Sequence, residues 1–96
     1  MRAKRRDVNQ SEIVEALRKA GYELEDLADN GKGIPDLLVE SKSHIWVLLE
    51  IKAPGGKLTP AEHAFFERHQ APHYIARSPE EAIEWMEYID GISYDN

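Results

Sequence analysis

Apolar residues recur along this chain with two different spacings, and the changes between them mark out its elements. Ile13, Val14, Leu17 and Ala20 share one face of a 3.6-residue repeat, which predicts a helix over about 10–20, with Gly21 placed to end it. Residues 22–27 read as a first strand, with Tyr22 and Leu24 inward and Leu27 near its end. Asn30-Gly31-Lys32-Gly33 is a turn. A short strand over 36–40 and a longer one over 45–52 follow, joined by a hairpin at 41–44. Ala53-Pro54-Gly55-Gly56 stops the longer strand, because proline has no N–H for the ladder and paired glycines favour a turn.

Two more helices have clear starts. Thr59-Pro60-Ala61-Glu62 has the capping-box form, with threonine at the cap, proline in the first turn and glutamate three positions on. Ser78-Pro79-Glu80-Glu81 repeats that logic, and residues 73–77 between the two helices read as a last strand. Ala82, Ile83, Met86 and Ile89 give the final helix one apolar face. The predicted order is helix, three strands, helix, strand, helix: a small α/β domain with a mixed sheet flanked by helices.

Size and composition narrow the class. The 96 residues suit one domain, with positions 1–8 expected as a basic, flexible arm. No run is apolar enough to cross a membrane, and the basic start lacks the apolar stretch of a secretion signal. The chain has no cysteine, which excludes disulfides and thiolate metal sites and makes an intracellular, cytoplasmic location the expectation. A net charge of −6 argues against a simple phosphate-coating protein. Four of the twelve basic residues nevertheless fall in the first six positions, and the acidic excess gathers at 80–95. Such asymmetry is compatible with nucleic acid held by Arg5 and Arg6 of the arm. A solvated tail is the competing reading.

The chemistry concentrates in Gly33-Ile34-Pro35-Asp36 and, fourteen residues after the aspartate, Glu50-Ile51-Lys52. Trp46-Val47-Leu48-Leu49 and Ile51 are apolar, so Glu50 and Lys52 in that strand are costly to bury unless paired or ion-bound. Residues two apart on a strand share a face roughly 7 Å apart, so Glu50 and Lys52 point together while Val47, Leu49 and Ile51 point away. Asp36, on the neighbouring antiparallel strand, reaches the same end of the sheet. Two carboxylates there, with the Ile51 carbonyl between Glu50 and Lys52, make a hard oxygen set for Mg2+ or Mn2+. A metal so held lowers the pKa of a water and shields phosphate charge, and Lys52 adds a compact positive charge.

Those residues resemble the PD-(D/E)xK nuclease superfamily, and within it the stand-alone VRR-NUC domains typical of bacteriophages. The resemblance runs through Asn9-Gln10-Ser11-Glu12-Ile13-Val14, Gly33-Ile34-Pro35-Asp36-Leu37-Leu38-Val39, Leu48-Leu49-Glu50-Ile51-Lys52, Lys57-Leu58-Thr59-Pro60 and Arg77-Ser78-Pro79-Glu80-Glu81-Ala82. It implies a restriction-endonuclease-like core and metal-dependent hydrolysis of phosphodiester bonds. It also implies selectivity for branched or flapped DNA of the Holliday-junction type, and a homodimer. Metal ligands then fall on Asp36, Glu50 and the Ile51 carbonyl, with Lys52 as the catalytic lysine. The family's further acidic position in the first helix falls on Glu12, with Gln10 second, although Asn9-Gln10-Ser11-Glu12 also reads as a capping box. Glu62 stands where the family commonly has glutamine, and capping to Thr59 explains it at least as well.

Other residues are secondary. Lys32 and Lys57 are candidates for DNA phosphates, with solvated loop lysines as the alternative. Pro72 separates His69 from His73, so these do not form a helical chelate, and the four histidines read as surface residues. Helix spacing makes at least one of Phe65 and Phe66 core, and Trp85 with Tyr88 suggests a dimer contact. A non-catalytic nucleic-acid-binding or assembly module on the same fold, or a ribonuclease, are the competing functions.

Overall fold

The computed structural model describes residues 3–95, and the side chains of residues 9–92. The expected order of elements is present: α1 (Ala3–Lys19), β1 (Glu23–Asp26), β2 (Leu37–Glu40), β3 (Trp46–Ile51), α2 (Pro60–Arg68), β4 (His73–Ala76) and α3 (Pro79–Asp95). A short 3-10 turn, Ala28–Asn30, lies between β1 and β2. Helix α1 starts several residues before the expected 10, because no glycine or proline interrupts the chain from Ala3 to Ala20. Asn9-Gln10-Ser11-Glu12 therefore lies inside the helix and is not its cap. The expected contacts of Arg5 and Arg6 lie outside the described side chains. At its C-terminus α1 ends on Gly21, whose φ of +95° lets the Tyr22 N–H reach the Leu17 carbonyl at 3.0 Å.

The sheet order is β1-β2-β3-β4. The first two pairings are antiparallel and the third is parallel, with α2 in the crossover between β3 and β4. Alternation along the strands divides the sheet into two faces. One carries Leu24, Leu37, Val39, Val47, Leu49 and Ala76, which pack with Ile13 and Leu17 of α1 and Ala82, Met86 and Ile89 of α3. Register places Glu25, Leu38, Leu48 and His73 in one cross-strand row on the other face, with Glu50 one row on beside Ile75. The helical layer on the core face thus leaves Glu50 on the side where chemistry is possible.

Two polar ties hold the layers. The Asp90 carboxylate of α3 accepts the Ser43 N–H at 3.2 Å and its hydroxyl at 3.0 Å, pinning the helix to the β2–β3 hairpin. The Tyr22 hydroxyl donates to the same carboxylate at 3.4 Å. Burial, reinforced by the negative charge of Asp90, pushes the Tyr22 phenol up from 10 to about 12.

Helix α2 differs from the other two. Its capping box is complete: the Glu62 N–H donates to Thr59 Oγ1 at 3.2 Å and the Thr59 N–H to Glu62 Oε1 at 2.8 Å. Among its described residues, however, none is buried. The expectation that Phe65 or Phe66 enters the core is thus corrected. Both are half-buried against imidazoles, Phe65 on His69 and Phe66 on His73, each with ring centroids 4.2 Å apart. A nine-residue helix with a proline start and no apolar stripe cannot be drawn into a core already filled by α1 and α3. The loop before β2 fixes its start: a Cβ on Gly33 would lie 2.4 Å from the Ala61 carbonyl oxygen, and the φ of +81° also requires glycine.

Two outcomes test this packing. Gly33→Ala should lower stability by about 1–3 kcal/mol in urea unfolding and shift the amide resonances of Ala61 and Glu62; a neutral variant would remove the close approach. The raised Tyr22 pKa contributes stability that is complete below pH 10 and is lost as pH rises through about 12. Tyr22→Phe should therefore lose less stability than wild type between those values, as followed by thermal unfolding against pH.

Candidate active site

The site forms where three segments end together. β2 begins immediately after Asp36, its antiparallel partner β3 carries Glu50, and Lys52 follows the last residue of β3. Beyond the strand's end the Lys52 N–H still bonds the Ala76 carbonyl at 3.1 Å, so the lysine backbone stays in register with β4. The Ile51 N–H donates to Asp36 Oδ2 at 2.8 Å, fixing that carboxylate against the backbone between Glu50 and Lys52. Helix α1 closes the same end: Asn9 Nδ2 donates to the Lys52 carbonyl at 3.2 Å.

Glu50 has the most demanding environment. Its side chain is 4% exposed, and Oε1 has no hydrogen-bond partner among the described residues. Burial first, then the charges of Asp36 and Glu62, raise its pKa from 4.5 to about 9. These neighbours act through the field and through hydrogen bonding, but neither satisfies Oε1. Glu62 responds oppositely: burial opposes its charge, but hydrogen bonds from Lys52 and the Thr59 N–H outweigh that and hold its carboxyl below the usual range. Lys52 Nζ lies 2.8 Å from Glu62 Oε1 and 3.7 Å from Glu50 Oε2. The lysine is therefore bonded to the helix carboxylate and sits beside the strand carboxylate.

Asp36, Glu50, Ile51, Lys52 and Glu62 converge at this end of the sheet, and the others expected near it divide. Gln10 is buried and donates to Asp26 Oδ1 at 2.9 Å, so it ties α1 to β1 and does not bond the carboxylates. Glu12 is exposed on α1, and among the described residues no group of three or more acidic or histidine side chains is arranged to hold a metal ion. Lys32 and Lys57 are exposed in the flanking loops. Asn9 was missed: a helix side chain bonding a strand carbonyl 43 residues away leaves no local trace in sequence. Arg77 was missed in the same way. Its Nη2 donates to the Gly56 carbonyl at 3.0 Å, and that turn folds back until a Cβ on Gly56 would lie 3.4 Å from Lys52 Cβ.

The donor set fits a hard divalent cation. A buried carboxylate oxygen without a donor, a second carboxylate fixed beside it and a neighbouring backbone carbonyl are oxygens of the kind such a cation takes, and a positive charge there would offset the burial and repulsion that raise Glu50. Trp85, expected to be partly exposed beside Tyr88, is half-buried. Its indole stacks on Tyr74 with centroids 4.0 Å apart and donates to the Ile75 carbonyl at 3.0 Å, which fixes the ring within the chain. Tyr88 and Ile92 remain exposed on α3. Among the described residues no helix is long and apolar enough to cross a membrane.

Comparison with known proteins agrees with this architecture. A solved structure described as a VRR_NUC domain is similar with a TM-score of 0.66 and 24% identity, covering 86% of this chain and 95% of its own. At that identity the likeness speaks for the fold, a four-stranded mixed sheet with three helices. No curated protein matches. The family description of the VRR-NUC domain matches residues 2–78, a span that includes Asp36, Glu50, Lys52 and Glu62. The chain belongs to the VRR-NUC domain family, a family of nuclease domains.

Proposed function

We propose that this chain is a metal-dependent endonuclease that hydrolyses phosphodiester bonds in DNA, selective for branched or flapped structures of the Holliday-junction type. The observation that carries the reading is the buried Glu50 carboxylate, with an oxygen lacking a donor, held beside Asp36 and Lys52. A structural role gives no return for that burial, whereas cation binding does. Asp36, Glu50 and the Ile51 carbonyl would hold Mg2+ or Mn2+, which when bound supplies Lewis-acid activation of water and shields phosphate charge. Lys52 presents an ammonium to the non-bridging oxygens of the scissile phosphate and to the attacking water. Asn9 and the Ile51 N–H keep the backbone and the Asp36 carboxylate still while that charge develops.

Lys32 and Lys57, exposed on loops flanking the site, are suited to flanking phosphates, as are Arg5 and Arg6 of α1. Exposed Tyr88 and Ile92, one turn apart on α3, support a homodimer that would bring two sites to the two strands of a branched substrate. The absence of cysteine fits action inside the cell.

Labelled duplex, flap, four-way-junction and RNA substrates incubated with Mg2+ or Mn2+ test the reading. Cleavage is expected with branched DNA preferred, and Lys52→Ala should slow it about 10²–10³-fold. No cleavage of any substrate by wild type overturns the assignment, and equal rates in the variant remove Lys52 from the mechanism. Binding is checked separately: Mn2+ should raise the melting temperature of wild type and leave that of Asp36→Asn unchanged.

A further inference from the structure

Lys52 is the most mobile kind of side chain in the site, a four-carbon stem whose ammonium has no fixed direction of its own. Yet only 17% of it is exposed, and its surroundings restrain it from two sides. On one side the 53–56 turn folds back until a Cβ added at Gly56 would lie 3.4 Å from Lys52 Cβ, and the Arg77 guanidinium bonds that turn at the Gly56 carbonyl. On the other, Glu62 Oε1 accepts the ammonium at 2.8 Å. The Glu50 carboxylate is 3.7 Å away, beyond a hydrogen bond.

Glu62 is itself fixed. The oxygen that accepts Lys52 also accepts the Thr59 N–H at 2.8 Å, and it lies at a helix N-terminus, where a negative side chain is favoured. The first turn of α2 is fixed in turn by the Gly33 loop, which approaches the Ala61 carbonyl so closely that no side chain fits. That same loop leads through Pro35 into Asp36. One backbone segment therefore sets both the first carboxylate of the site and the helix start that holds the lysine.

We propose that Glu62 is the positioning residue of Lys52, holding its ammonium at the edge of the Asp36–Glu50 pair, a role that rests on the nuclease reading of the site. A glutamate whose only work was to cap α2 would need no cation on its oxygen. Without Glu62 the lysine stem regains rotamer freedom, and its charge is no longer delivered to one place.

Thr59→Ala separates the two roles. It removes the other half of the capping box, the bond from the Glu62 N–H, but leaves the Thr59 N–H and Lys52 with their common acceptor. Glu62→Ala should lower kcat about 10²-fold with little change in KM for DNA, whereas Thr59→Ala should leave kcat near wild type. Glu62→Gln retains a neutral acceptor for both donors and should recover part of the loss. The second readout needs no turnover: in protein with 15N-labelled lysine, the ammonium resonance of Lys52 should be protected from exchange in wild type and Thr59→Ala, and be lost in Glu62→Ala. Equal kcat or equal ammonium protection in Glu62→Ala and Thr59→Ala overturns the proposal and leaves Glu62 as a cap. Failure of wild type to cleave any substrate would instead fail the nuclease reading, and the ammonium comparison would still decide whether Glu62 holds Lys52.

Discussion

Two carboxylates and a lysine have been brought out of water at the end of a four-stranded sheet, and much of the local architecture answers that electrostatic demand. Glu50 alternates outward from the core face but is nevertheless buried, and the charges of Asp36 and Glu62 oppose its ionisation. Such a group is tolerated only where its surroundings are rigid, because relaxation would let water in and dissolve the arrangement. Rigidity comes from backbone donors and acceptors. The Ile51 N–H bonds Asp36, the Ala76 carbonyl continues the parallel ladder to Lys52, and Asn9 takes the Lys52 carbonyl. The core behind β3, with Val47 and Leu49 fully buried, keeps those strand ends from moving.

The three helices contribute in different ways. α1 and α3 supply the apolar layer that holds the sheet, and each also carries a polar tie, Gln10 to Asp26 and Asp90 to the hairpin. α2 supplies little apolar burial and instead delivers its first turn to the site. Its start is set by the Gly33 loop. Its last turn is tied back to the sheet by the stack of Phe66 on His73 of β4.

Sequence reading reached the frame and the convergence of Asp36, Glu50 and Lys52 because both are written in local patterns. The alternation of Val47 and Leu49 against Glu50 and Lys52 places two charges on one face, and Gly33-Ile34-Pro35-Asp36 marks the start of the adjacent strand. Thr59 and Ser78 announce their helices through cap chemistry that the fold retains, the Glu81 N–H donating to Ser78 Oγ at 3.1 Å. What escaped depends on contacts between segments distant in sequence. The bond from Asn9 to Lys52 and that from Arg77 to Gly56 need the helix and strand ends to meet before either has meaning. Asn9-Gln10-Ser11-Glu12 misled because a capping pattern also fits inside a helix that nothing upstream interrupts. Phe65 and Phe66 misled because apolarity alone does not state that a core is already full. Glu62 was visible as a cap, and only the approach of α2 to Gly33 shows that the same oxygen meets the lysine.

The indole of Trp85 has a wider consequence for the free edges of the sheet. β4 is an edge strand, and its outward groups would ordinarily offer a template to any passing extended chain. The Ile75 carbonyl is already taken by Trp85, and the Arg77 N–H just past the strand is taken by Glu81 at 2.6 Å. The opposite edge, β1, is only four residues long and carries Glu23, Glu25 and Asp26. One margin has an outward carbonyl and a flanking N–H already taken, and the other is short and electrically repellent, so both are poor templates for sheet-to-sheet growth. Recognition of another molecule is left to side chains and helix surfaces, where it can be selective.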